Sequence, residues 1–149
     1  MGWMLGSTFQ TSGNVARANV VSLTQIGIDV PKAVQAEVTG NVAAGNGTGV
    51  RMKDAGSIVG NALDGNTFGI EKETATFSGT IAKDDFIGNV GCGLLNDGGA
   101  GLVAANDYWG AATGPGASPA NDLCNDLGGT STTTPFAKKP FKVKARITP

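Results

Sequence analysis

Asparagine or aspartate returns in pairs five residues apart along this chain: Asn14 and Asn19, Asn41 and Asn46, Asn61 and Asn66, Asp84 and Asn89, then Asn106 with Ala111 where a partner should stand. The first members are 27, 20, 23 and 22 residues apart, and from the second unit onward a glycine follows each by four: Gly45, Gly65, Gly88, Gly110. A period of this length marks a stacked repeat, in which one unit cannot bury its apolar face until neighbours lie on it. Glycine is abundant, 24 residues in 149, yet collagen periodicity is absent and 11 basic residues nearly cancel 12 acidic ones. Repeated tight turns explain that composition better than disorder does.

The units read as extended. Before each Asn or Asp stand Val34 and Val38, Ile58 and Val59, Phe77 and Ile81, then Leu102 and Val103, short apolar runs closed by Gly, Asn or Asp. Apolar spacing of helical period is absent. A second piece opens on glycine: Gly27-Ile28, Gly49-Val50, Gly69-Ile70, Gly93-Leu94. Two positions after the first Asn stand Ala16, Ala43, Leu63, Phe86 and Tyr108, an inward slot that widens along the chain. Each unit thus supplies about three short strands, and units wound about one axis give three parallel sheets. Asn and Asp accept left-handed backbone and bond to neighbouring main chain, and stacked at one corner they form ladders. Asn41, Asn46, Asn61, Asn66, Asp84, Asn89 and Asn106 are therefore read as turn and ladder residues rather than ligands. The glycines four places on are read as relieving a clash with the neighbouring turn.

Stacking places Asp29, Arg51, Glu71 and Leu95 at one outward position of successive units, with Lys53 beside Glu73 further out. Alternating signs on strands ~4.8 Å apart make a solvent-facing charge ladder. A catalytic arginine between two carboxylates would give the same pattern, so Arg51, Asp29 and Glu71 are the catalytic candidates. The first unit departs from the others: eight residues separate Asn19 from Gly27, and Val20 to Gln25 are read as an inserted loop. The absence of histidine removes His-dependent triads and His-ligated zinc. No signal peptide or membrane span is expected from the sequence, nor any metal or cofactor.

From Ala105 onward the chain reads Asn106-Asp107-Tyr108-Trp109-Gly110, then Gly114-Pro115-Gly116, Pro119-Ala120, Asp122, Cys124 and a run from Thr130 to Lys144. This resembles the closing segment of bacterial secreted right-handed parallel β-helix proteins, the pectate-lyase-like superfamily. The resemblance covers roughly residues 34 to 144. It implies an all-β, right-handed parallel β-helix of four to five coils, the C-terminal portion of a larger exported protein at the cell surface or outside the cell. Residues 1–33 would be an irregular first coil, 34–110 the regular coils, and 111–149 a cap with an edge strand. Trp109, Phe136 and Phe141 are the groups available to cover the last coil. Beyond Pro140, Phe141, Val143, Ala145 and Ile147 alternate with Lys142, Lys144 and Arg146, a pattern for an edge strand with a charged open side. With Lys138 and Lys139 the tail holds five basic residues, but no aromatic groups are interleaved with them, so edge protection is favoured over nucleic-acid binding.

Cys92 falls at the turn into the last regular coil and Cys124 in the covering segment. Two readings stand: two free buried thiols, or a disulfide, which the exported character of the resembling proteins favours. For function the resemblance also leaves two classes open. One is a non-catalytic extracellular scaffold or adhesin-like surface, its partners an extracellular polysaccharide and upstream coils of the parent chain. The other is part of a polysaccharide lyase or glycoside hydrolase acting on an extended acidic sugar polymer, or a cap on such an enzyme.

Overall fold

The computed structural model describes residues 3–12, 15–17, 20–34, 36–53, 56–73, 79–99 and 101–143. Asn14, Asn19, Phe77, Lys144, Ala145, Arg146 and Ile147 lie outside the described residues.

Among the described residues there are sixteen strands and no helix. A six-stranded sheet runs β1 (Trp3–Ser12), β4 (Ile26–Val34), β7 (Thr48–Met52), β10 (Phe68–Lys72), β13 (Cys92–Asn96) and β15 (Leu123–Asn125). A second holds β2 (Val15–Arg17), β5 (Ala36–Thr39), β8 (Gly56–Val59) and β11 (Gly79–Ala82), and a third β3 (Val20–Ser22), β6 (Val42–Ala44), β9 (Ala62–Asp64) and β12 (Asp85–Ile87). The last pair is β14 (Gly101–Val103) with β16 (Thr130–Thr132). All pairings are parallel, and up to β13 neighbours in a sheet are three strands apart in sequence. The chain therefore visits three sheets in rotation, laying one strand on each per repeat.

Each sheet sends apolar side chains inward in columns. Ile28, Val50, Ile70 and Leu94 stack in register on the large sheet, Val38, Ile58 and Ile81 on the second, and Ala43, Leu63 and Phe86 on the third, all essentially buried. Each such aliphatic or aromatic group contributes about 1.5–3 kcal/mol on burial. The third column widens along the chain and ends on Trp109, fully buried with its ring 4.6 Å from that of Phe86. Tyr108, expected in that slot, is only half-buried and bridges Asp85 through its backbone.

That one-residue shift has a cause. Gly40, Gly60, Lys83 and Asn106 have φ of 64°, 70°, 59° and 65°, so Asn106 occupies the left-handed corner just before the ladder position. Asparagine is at home in either place. The ladder residue is Asp107, whose carboxylate accepts from the Asp84 amide, 23 residues back.

The first unit is likewise shifted. Val20 pairs with Val42 and Ser22 with Ala44, so Val20 to Gln25 contain a strand and a turn rather than an inserted loop. Thr24 then stands at the corner beneath Asn46, the place expected for Asn19. The glycines also divide differently from expectation. Gly65 and Gly88, φ 61° and 64°, have open space where a Cβ would go, so their reason is the left-handed turn. Close approach is the reason at Gly49, where a Cβ would lie 2.6 Å from the Gly69 carbonyl oxygen.

The residues after Gly110 do more than cover an end. They lay β15 on β13 and β16 on β14, continuing two of the sheets. Phe136 packs on the core and lies against Gly114. The Phe141 N–H donates to Asp85 Oδ1 at 2.9 Å. Phe141 to Val143 form no strand, a Val143 N–H to Phe141 carbonyl bond closing a tight turn there, and the rest of the expected edge strand lies outside the described residues.

Candidate functional site

The outer face of the large sheet carries Asp29, Arg51, Glu71, Leu95 and Cys124 in one register column. The Arg51 guanidinium is held from two sides. Nε and Nη2 donate to the two Asp29 carboxylate oxygens at 3.0 and 2.6 Å, and Nη1 lies 3.3 Å from Glu73 Oε1. This bidentate fork fixes the plane of the group as well as its charge. Lys53 pairs with the other Glu73 oxygen at 2.8 Å. Glu71 takes a different partner, accepting from Thr48 Oγ1 at 3.0 Å. The bond to Asp29 outweighs burial and raises the Arg51 pKa further above its ordinary value. A group so held stays a cation and cannot take up a proton. Beside it runs an open groove of about 330 Å³ lined by Gln25, Ile26, Thr48, Arg51, Phe68 and Glu71, among others. Gln25, Thr48, Arg51 and Glu71 give it a hydrogen-bonding wall.

The corners hold two polar columns. In the first, the backbone N–H and Nδ2 of Asn46 both donate to Asn66 Oδ1, those of Asn66 to Asn89 Oδ1, and those of Asn89 to Asn121 Oδ1, at 2.6 to 3.2 Å. Asn121, not Ala111, therefore ends this column. In the second, Asn41 donates in the same way to Asn61 Oδ1 and Asn61 to Asp84 Oδ1, after which Asp84 N–H donates to Asp107 Oδ1. These side chains are buried, and from Asn46 and Asn61 onward each accepts from a main-chain N–H of the preceding layer.

The second column ends in a corner of carboxyl groups. Burial raises all four, most strongly Asp84, which the charge of Asp107 raises further. Asp107 is pushed up to about 7 and Asp85 to about 6, each chiefly by burial; at Asp85 the bond from Phe141 opposes the shift, and at Asp107 the bond from Asp84 does so. Asp64 is raised by burial as well. On the large sheet Lys72, 1% exposed, points along the inward row of Ile70, and burial lowers its pKa. Among the described residues no group of three or more His, Cys, Asp or Glu is arranged to hold a metal ion. No helix among them is long and apolar enough to cross a membrane.

Cys92 and Cys124 form a disulfide with Cα atoms 6.0 Å apart, joining β13 to β15. Trp109 closes the third apolar column from within, Phe136 packs on the core from outside, and the Phe141 backbone bonds to Asp85. Asp107, Asn121, Thr24, Asp85 and Lys72 are the members that sequence reasoning missed. Lys72 was visible as the third position of the alternation Phe68, Ile70, Lys72, and Asp107 as the residue 23 after Asp84, the same step that separates Asn61 from Asp84. Asn121 had no such signal, since 32 residues separate it from Asn89.

Comparison of the chain with protein-family models, curated proteins and solved structures finds no match.

Proposed function

We propose that the chain is the C-terminal portion of an exported protein, a right-handed parallel β-helix of the pectate-lyase-like type. Its role is that of a non-catalytic scaffold presenting an elongated surface outside the cell. What carries this reading is that the recurrent polar residues Asn41, Asn46, Asn61, Asn66, Asp84 and Asn89 are committed to the two corner columns, and Arg51 to Asp29 and Glu73. The Cys92–Cys124 bond supports an oxidising compartment, where disulfides persist. Strands β1, β2 and β3 each stand at a sheet edge, so further layers of the same kind can pair there. Extracellular polysaccharide is the partner of this reading, its hydroxyl groups meeting the hydrogen-bonding side chains of the groove beside Arg51.

The same groove is what favours the second reading, a lyase or hydrolase acting on an acidic sugar polymer. A permanently protonated Arg51 supplies charge but no base, which weighs against a lyase centred on it. Incubation with polygalacturonate and calcium, followed by absorbance of unsaturated product, is expected to show no turnover. Turnover that disappears in Arg51→Ala would overturn the scaffold reading.

A further inference from the structure

In the amide rungs at Asn61, Asn66 and Asn89 the second side-chain atom is a donor facing two oxygens. Asn61 Nδ2 donates to Val38 O and to Asp84 Oδ1, Asn66 Nδ2 to Ala43 O and Asn89 Oδ1, and Asn89 Nδ2 to Leu63 O and Asn121 Oδ1. The carbonyl in each case belongs to the residue three before the ladder residue of the adjoining layer. At Asp84 the same place is taken by Oδ2, which is buried and has no hydrogen-bond partner. By the pattern of the other rungs it faces the Ile58 carbonyl and Asp107 Oδ1, both acceptors. An ionised oxygen there would meet oxygen on both sides, whereas a protonated one completes the rung.

We propose that Asp84 is a neutral carboxylic acid with its proton on Oδ2, standing in for an asparagine amide, and that this proton is a latch holding the Ala104–Phe141 layers to the rest of the stack. The groups around it reinforce the latch. Asp107 lies on the adjoining layer with its own Oδ2 buried and without a partner. Asp85 follows next in the chain at the start of β12, and Asp64 acts on Asp85 from β9. Tyr108 stands beside Asp85 in register and is half-buried. Lys83 and Lys142, next in the chain to Asp84 and Phe141, are exposed, and among the described residues no cation is among the charges that act on Asp84 or Asp107.

The direction follows from linkage. A carboxyl whose folded pKa lies above its unfolded value binds more protons when folded, so its stabilising effect is complete below the unfolded pKa and is lost as pH rises through the folded one. For Asp85 and Asp107 that loss runs from near 4 up to about 6 and about 7, and the Asp84 latch opens above the ordinary carboxylate range. Raising the pH therefore loosens the C-terminal layers first.

Two measurements on the full oxidised chain decide the matter. In a carbon-13 NMR titration, Asp84 Cγ is expected at the carboxylic-acid position at pH 7; titration of Asp84 near 4 would overturn the proposal. In hydrogen exchange corrected for intrinsic rates, opening of amides such as Tyr108 and Ala137 is expected to rise with pH between 5 and 8, by up to about tenfold per unit for each carboxyl that releases its proton on opening. Asp84→Asn supplies the amide and is expected to make that rise shallower and to abolish it above about 7, where Asp85 and Asp107 no longer contribute. A rise above about 7 that is equally steep in Asp84→Asn, or its absence in the unaltered chain, would overturn the latch; if the variant does not fold, the NMR titration of the native chain decides.

Discussion

The two polar columns of this molecule share one geometry and end in opposite chemistry. In the column from Asn46 to Asn121 every rung is an amide, which both accepts and donates, so the pattern can be repeated without limit. In the column from Asn41 to Asp107 the last two rungs are carboxyls of nearly the same shape but with no donor of their own when ionised. The amide column finishes at Asn121, three residues from the Cys92–Cys124 bond, while the acid column finishes at Asp107, two residues before Trp109, in the corner shared with Asp64 and Asp85. Shape alone lets a residue enter such a column; a supply of hydrogens lets the column continue.

The comparison breaks most visibly if a rung is removed from the amide side. Asn66→Ala deletes an acceptor of two bonds and a donor of two, all buried, and should cost about 3–5 kcal/mol in urea unfolding. A loss below about 1 kcal/mol would mean the column contributes no more than an exposed pair. Cys124→Ser should cost about 3 kcal/mol and, by freeing β15, bring hydrogen exchange at the end of the amide column up toward that of the acid column.

Asn66→Asp converts one column into the other. It sets an oxygen against Ala43 O and Asn89 Oδ1, so the variant should lose about 2 kcal/mol near pH 8 and recover much of it near pH 4, where the new carboxyl is neutral. Equal losses at both values would show that protonation is not what an acid rung needs. The smallest expected effect is at the turns. Gly65→Ala places a side chain at φ 61° in open space and should cost about 1 kcal/mol, against about 2–3 for Gly49→Ala, where the new Cβ meets the Gly69 carbonyl.

How much of this was legible in the sequence follows from the same distinction. The regular units could be read because side-chain type and spacing agreed: Val50, Ile70 and Leu94 on one side of the strand, Arg51 and Glu71 on the other, as found. At Asn106-Asp107 they conflicted. Asparagine suits both a left-handed corner and a ladder rung, and only the neighbouring Trp109, the larger apolar group, decides that Asp107 is the rung. The first unit was misread for the converse reason, since its rung at the amide corner is Thr24, which gives the column its hydroxyl and amide without an Asn to mark it. Asn121 was out of reach, because a long excursion through Gly114 and Pro119 intervenes and nothing local marks the return. The outward candidates were placed correctly as a stack, but spacing could not tell that Arg51 would turn to Glu73 while Glu71 turned to Thr48; side-chain length and sheet twist decide that.

The central claim is that side-chain amides of successive layers bond along the stacking axis inside the protein. The most direct measurement is exchange of the Asn61, Asn66 and Asn89 Nδ2 protons in nitrogen-15 NMR. The account predicts that at least one proton of each resists exchange as strongly as the strand amides of β7 and β10. Exchange of all of them at the rate of a solvent-exposed asparagine would contradict it.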